Sequence, residues 1–250
     1  MSWAMKRRLI YGGSVLLVLA LIFGTIFWKL LYSAPTCSDG VKNGDEKGVD
    51  CGGSCKNLCT SDALRPVIIW AKIFNISGDV YSAVAYVENP NINSKNNSAI
   101  YEFRLFDENN KLITVVEGET SIPKGKKFAV FETGIILKNS KPKSADFKFT
   151  EFSNWEKDAT KDEGISLEYG TVLNTDTAPS ISGVITNTSL QDIGSIELLV
   201  FALDNSENVI GASRTFVDNL AKNSSQDFVF TWQKPFDREV TVINVMYHKI

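Results

Sequence analysis

Histidine is almost missing from this chain: the one residue of its kind is His248. A Ser-His-Asp or Cys-His nucleophile is therefore not expected, nor is a histidine-rich metal site. Acid is missing from the first 29 residues, which carry four bases, Lys6, Arg7, Arg8 and Lys29. Against an overall formal charge of −3, this leaves the remainder near −7. An acidic surface repels phosphate backbones, so no nucleic-acid partner is expected. Helical periodicity is missing after residue 32. Cysteine is missing everywhere except Cys37, Cys51, Cys55 and Cys59. The numerous acids fall in no spaced pattern that marks a hydrolase, and the expectation is that the chain is not an enzyme.

The most informative feature present is the run Leu9–Trp28, which has no charged residue. At about 1.5 Å per residue a helix of this length reaches roughly 30 Å, the thickness of a bilayer's hydrocarbon core. The run is apolar on every side, unlike the striped helix of a soluble core. The bases at 6–8 place the N-terminus in the cytoplasm. The reading is a single-pass anchor: cytoplasmic residues 1–8, a transmembrane helix in the lipid bilayer over 9–32, and everything later outside the cell membrane. A cleaved signal peptide is the rival. Its apolar region usually spans about 7–15 residues, and Tyr32-Ser33-Ala34 puts a tyrosine where a small residue is wanted. Tyr11-Gly12-Gly13-Ser14 would let another helix approach closely.

The four cysteines mark a module over 33–61. Outside the cytoplasm such thiols oxidise, so Cys37, Cys51, Cys55 and Cys59 are expected as disulfides, with the pairing open. Few apolar side chains lie among them, so cross-links must supply the order. A four-cysteine zinc site is the alternative, although its ligands more often come as close pairs set well apart. Asp39, Asn43, Asp45 and Asp50 partly trace a calcium loop, with oxygen ligands at the first and fifth places, a glycine at the sixth and an acid at the twelfth. Val41 and Lys47 break that pattern. The contrasting reading is a set of Asx turns in a glycine-rich knot, with no cofactor.

The stretch from Cys37 to Cys55, C-x-D-G-V-x-N-G-D-E-x-G-V-D-C-G-G-x-C, resembles a short cysteine module of bacterial and archaeal surface proteins. That resemblance implies a place at the cell surface, not an activity.

From Val67 onward, short apolar or alternating runs are broken by Asn, Gly, Asp and Pro, the all-β signal. Strands are expected near 67–75, 80–89, 99–107, 111–119, 126–136 and 144–153. A second set is expected near 165–174, 180–188, 194–204, 208–217, 225–232 and 239–248. The two sets answer each other: Asn89 with Asn187, Asp107 with Asp204, Lys124 with Lys222, and Phe131 with Phe230, at offsets of 98, 97, 98 and 99 residues. A near-constant offset signals tandem copies. Phe103, Leu105, Phe106 and Asp107, answered by Val200, Ala202, Leu203 and Asp204, resemble the FxLYD-type β-sandwich domains of bacterial envelope proteins. The resemblance implies an Ig-like fold.

The expected architecture is an all-β ectodomain. Two tandem Ig-like β-sandwiches, over 62–156 and 165–250, are joined by a polar linker at 157–164. The 91–98 stretch reads as a loop between strands. Asn-x-Ser sequons stand at Asn75, Asn96, Asn187 and Asn223. The function expected is binding or assembly, with an envelope protein as partner. An accessory subunit of a larger membrane complex is the alternative.

Overall fold

A computed structural model describes residues 3–31, 36–160 and 164–249. Tyr32, the Tyr32-Ser33-Ala34 site and linker residues 161–163 lie outside the described residues. The chain forms two compact units, 1–55 and 56–250.

The first unit opens with helix α1 (Trp3–Leu31). Its stretch Trp3–Lys29 is long and apolar enough to cross a membrane, and none of it is buried. The helix starts earlier than the apolar run, because charged residues can continue a helix beyond hydrocarbon. Its hydroxyls bond their own backbone: Ser14 Oγ donates to the Tyr11 carbonyl and Thr25 Oγ1 to that of Ile22, both at 2.9 Å. Such back-bonding satisfies polar atoms inside the segment, as a lipid-facing helix requires.

The second unit is built of strands. They are β1 (Val67–Ser77), β2 (Val80–Glu88), β3 (Ser94–Phe106), β4 (Leu112–Ile122), β5 (Lys127–Ile136), β6 (Ser144–Phe152) and β7 (Trp155–Lys157). Then come β8 (Ile165–Tyr169), β9 (Ser180–Asn187), β10 (Ile196–Leu203), β11 (Val209–Val217), β12 (Ser225–Thr231) and β13 (Val242–Lys249). One sandwich pairs β1-β2-β5 in one sheet and β4-β3-β6 in the other, with β7 against the start of β3. The other pairs β8-β9-β12 and β11-β10-β13. Strands β8 to β13 thus repeat the pairing of β1 to β6, and β7 has no counterpart among the described residues. The sequence repeat is a repeat of fold.

Two side chains show why the repeat survives in sequence. Asp107 Oδ1 accepts the N–H groups of Asn109 and Lys111, closing the β3–β4 turn. Asp204 Oδ1 does the same with Ser206 and Asn208 at the β10–β11 turn. Asn89 is buried and its amide donates to the carbonyls of Ser94 and Pro123. Asn187, also buried, donates to those of Gln191, Leu220 and Ala221. A buried amide that satisfies several loop carbonyls is hard to replace. The pairing of Phe131 with Phe230 does not hold. The register sets Val130 opposite Ala85 and Phe228 opposite Gly183, so Val130 and Phe228 are the equivalent pair. Phe131 faces the other way.

Where Phe131 points is the main departure from expectation. In a lone two-sheet sandwich, alternate residues face the core and the others face solvent. In β2, Ala83, Ala85 and Val87 enter the first sandwich's core. Val84 and Tyr86, on the opposite face, meet Leu199 and Phe201 of β10 in a third apolar layer. In β10, Ile196, Leu198 and Val200 fill the second sandwich's core. The two sandwiches are therefore stacked sheet on sheet, and β2 and β10 are buried on both faces. The sequence of β10, IELLVFAL, is a nearly continuous apolar run, the pattern of a strand covered on both sides.

The ends of the first sandwich also differ from expectation. The 91–98 stretch is not a free loop. Ser94 onward belongs to β3, and Asn91, Ser94 and Asn96 are buried. Asn91 brackets Leu64, accepting its N–H at 2.9 Å and donating to its carbonyl at 2.7 Å. Asn96 donates to the Ser153 carbonyl. Residues 56–64, assigned in part to the cysteine module, are bound to this sandwich. Leu58 N–H donates to the Trp155 carbonyl and Lys157 N–H to that of Lys56, both at 2.8 Å. The linker expected from 157 begins inside β7, and Lys124 Nζ holds Asp158 at 3.3 Å.

Candidate functional site

The seam between the sandwiches has the anatomy of an interface, an apolar centre with a polar rim. At its centre Trp70 and Tyr86 of the first sandwich close on Phe201 of the second, with ring centroids 5.0 and 5.1 Å away, edge to face. Cations ring it. Lys72 Nζ donates to the Val209 carbonyl at 3.1 Å. Burial holds the Lys72 ammonium below its ordinary pKa. Lys126 lies over the Tyr247 ring at 4.9 Å, and the Arg214 guanidinium over Phe131 at 5.6 Å. Lys234 donates to Asn75 Oδ1 at 3.0 Å.

A buried acid stands on the same face of β10. Glu197 meets Arg214 Nη1 and His248 Nδ1, each at 3.3 Å. Burial raises the Glu197 carboxyl, with Arg214 opposing. Burial, helped by Lys126, lowers His248 to about 4. The imidazole is neutral at ordinary pH, with its Nδ1 beside the carboxylate. The lone histidine thus serves packing.

One edge of the seam opens into a cleft of about 520 Å³, the size of a small-molecule site. The first sandwich supplies Ile73, Asn75, Ser82 and Phe131, and the second Gly211, Arg214 and the segment Thr231–Asp237. Trp232 and Phe236 pack edge to face at 5.0 Å over Gly211. A Cβ at Gly211 would lie 2.4 Å from Phe236 and 3.1 Å from Trp232 Nε1, so glycine lets the aromatic pair close on β11. Trp232 Nε1 is buried and has no acceptor among the described residues. No sequence motif marks this cleft, because its parts come from five separate segments. A glycine inside a strand, Gly211 of β11, is the one local signal.

The cysteine module holds the residues named from sequence. All four cysteines are disulfide-bonded, so no thiolate is present for zinc. Cys37 and Cys55 are joined, with Cα atoms 5.5 Å apart. Asp39 and Asp50 are brought together, but as acceptors of backbone N–H groups. Asp50 takes those of Asp39 and Gly40; Asp39 takes that of Val41 and the Asn43 amide. These bonds lower the Asp39 carboxyl, the Asn43 amide most. Asp45 stands apart on Ser54, at 2.7 Å. Asn43 Oδ1 is buried with no donor among the described residues. The backbone N–H groups that Asp39 and Asp50 accept are contacts of the kind Asx turns make. Reasoning from sequence missed Glu46, which is buried and accepts the N–H groups of Asn43 and Asp50. Of the sequons, Asn96 and Asn187 are fully buried, Asn75 is half-buried, and Asn223 is exposed.

The fold and these sites define a class: an apolar, membrane-length helix and a disulfide-bonded module, followed by a tandem β-sandwich body. No protein-family model matches the chain, and no curated protein matches it. Solved structures do match, among them red sea bream transglutaminase at 10% identity and a TM-score of 0.22. That alignment covers 74% of this chain and 31% of the transglutaminase chain, and at this score it carries no argument.

Proposed function

We propose that the protein is a membrane-anchored, extracytoplasmic binding or assembly protein with no catalytic activity of its own. Helix α1 crosses the cell membrane once with its N-terminus in the cytoplasm, and the sandwiches present a surface to an envelope protein. The two sandwiches are Ig-like and related to the FxLYD-type domains. The observation that carries this reading is the seam. Two sandwiches joined through Trp70, Tyr86 and Phe201 form one body with a cleft at the joint, and a rigid body holds its surface in a fixed geometry without the entropy loss of a jointed one.

The test is crosslinking in native membranes with the full-length chain, together with protease access to a C-terminal tag from outside intact cells. The reading predicts a tag that is cut from outside and one recurring crosslinked protein, lost when the seam is opened by Phe201→Ala. A chain that washes off membranes, or crosslinks to nothing, rejects it. A second reading is an accessory subunit held by its helix. Gly12 and Gly13 have open space on α1, as close helix approach needs. Replacing both by Leu would then release the complex while leaving membrane insertion intact.

A further inference from the structure

We infer that the seam cleft binds a small organic anion, a carboxylate on an apolar body, with the Trp232 indole and Lys234 as its two donors. The inference deepens the binding reading for this cleft.

The cleft separates into two kinds of lining. Ile73, Phe131 and Phe236 offer an apolar wall, and aromatic and aliphatic walls are what bury a ligand's carbon body. Against it stand groups that can only donate. The Trp232 Nε1–H is a donor with no acceptor function, and it is buried without a partner. Buried N–H groups in folded proteins are almost always paired, so an unpaired one is an exception that calls for an acceptor. The chain keeps this one at the cleft by giving up the side chain at position 211, where a Cβ would press on Nε1 itself. The first sandwich shows what the position does otherwise. Gly211 pairs with Ala202 as Thr114 pairs with Leu105, and the turns before them are equivalent. The glycine is therefore peculiar to the copy that has the cleft.

Charge decides what the indole receives. Lys234 lines the same cleft, bonds the neutral Asn75 amide, and has no ion pair among the described residues. Its ammonium has three protons, of which Asn75 takes one. Arg214 is also in the lining but is engaged by Glu197. With Arg214 held by Glu197, the charges left in the lining are Lys234 and Asp237. An unfilled indole N–H and an ammonium that meets no acid among the described residues select an anionic acceptor over a neutral one, since charge-assisted hydrogen bonds are roughly twice as strong.

The test uses the full-length chain in zwitterionic lipid nanodiscs with its five tryptophans labelled at the indole nitrogen. Phenylacetate and 4-methylpentanoate are titrated beside their neutral amides, and Trp232→Phe assigns the resonance. The inference predicts that the Trp232 N–H moves downfield and saturates. It predicts about tenfold weaker binding of each amide, and a similar loss for Lys234→Gln, which removes one charge-assisted bond. Lys234 is exposed, so the variant keeps its fold; the acid–amide comparison on the parent chain is an independent measurement. A Trp232 signal that no carboxylate moves at millimolar concentration overturns the inference, as does equal binding of acid and amide. If the envelope protein still crosslinks while the indole stays silent, the ligand assignment fails and the tethered-protein reading stands. If the indole responds and no protein crosslinks, the reverse holds.

Discussion

The Trp70 ring of the first sandwich meets the Phe201 ring of the second at 5.0 Å, edge to face. Phe201 is 2% exposed, so this contact lies at the centre of a dry layer. Phe201→Ala should destabilise by about 3–5 kcal/mol, the range for emptying a large aromatic from a core. It should also uncouple the sandwiches. Urea unfolding followed by tryptophan fluorescence should show one transition in the parent chain and two in the variant. Two transitions in the parent would mean that the layer does not couple the sandwiches.

Asn89 and Asn187 should behave as a matched pair. Replacing either by Ala leaves loop carbonyls without their donor, through a buried bond to Ser94 and a part-buried one to Pro123 in one case, and a buried bond to Leu220 and part-buried ones to Gln191 and Ala221 in the other. At about 1–3 kcal/mol for each group left unpaired, either change should destabilise more than most surface substitutions. Denaturation midpoints of the two variants check this, and Lys222→Ala, at an exposed turn, serves as the mild control.

His248 should titrate near pH 4 in place of its ordinary 6.5. Because it is the chain's one histidine, its ring signals can be followed without assignment. The sign follows from linkage. The unfolded chain takes up the proton first as pH falls through 6.5, so this residue's contribution declines from there to about 4. The total is on the order of 3 kcal/mol. Glu197, raised by burial, acts in the opposite sense. Stability of His248→Gln should therefore fall less between pH 6.5 and 4 than that of the parent, and an unchanged slope would contradict the assignment.

The cysteine module should depend on its cross-links and be indifferent to chelation. Its carboxylates already accept backbone N–H groups, so adding calcium or a chelator should leave its amide spectrum unchanged. Reduction should remove the dispersion of residues 37–55, because the stretch has little apolar surface to hold it once the Cys37–Cys55 bond is broken. A calcium-dependent shift at Asp39 or Asp50 would contradict this and favour the metal reading.

Asp204 offers a contrasting acid. Its carboxylate meets Arg238 Nη1 at 2.7 Å and accepts the N–H groups of Ser206 and Asn208, which hold it well below the ordinary carboxylate range. The stability it contributes is present above about pH 4 and declines as pH falls below that value. Asp204→Asn should flatten the acid limb of a stability profile measured by thermal unfolding.

Much of this protein can be read from its sequence because the causes are local. A charge-free run with bases at one end makes a membrane-length helix of Leu9–Trp28. Alternating runs broken by turn residues make the strands, and turns closed by Asp107 and Asp204 preserve the repeat. Four clustered cysteines make a cross-linked knot. The tertiary structure decided what depends on residues far apart in the chain. Which face of β2 meets β10, and that both of their faces are covered, follows from the packing of Val84 and Tyr86 against Leu199 and Phe201. Register alone separates Phe131 from Phe230. The cleft exists because Gly211 leaves room for Trp232 and Phe236 beside strands from the other sandwich. Local pattern fixes which side chains can be buried; which partner buries them is settled by the fit of surfaces brought together only when the chain has folded.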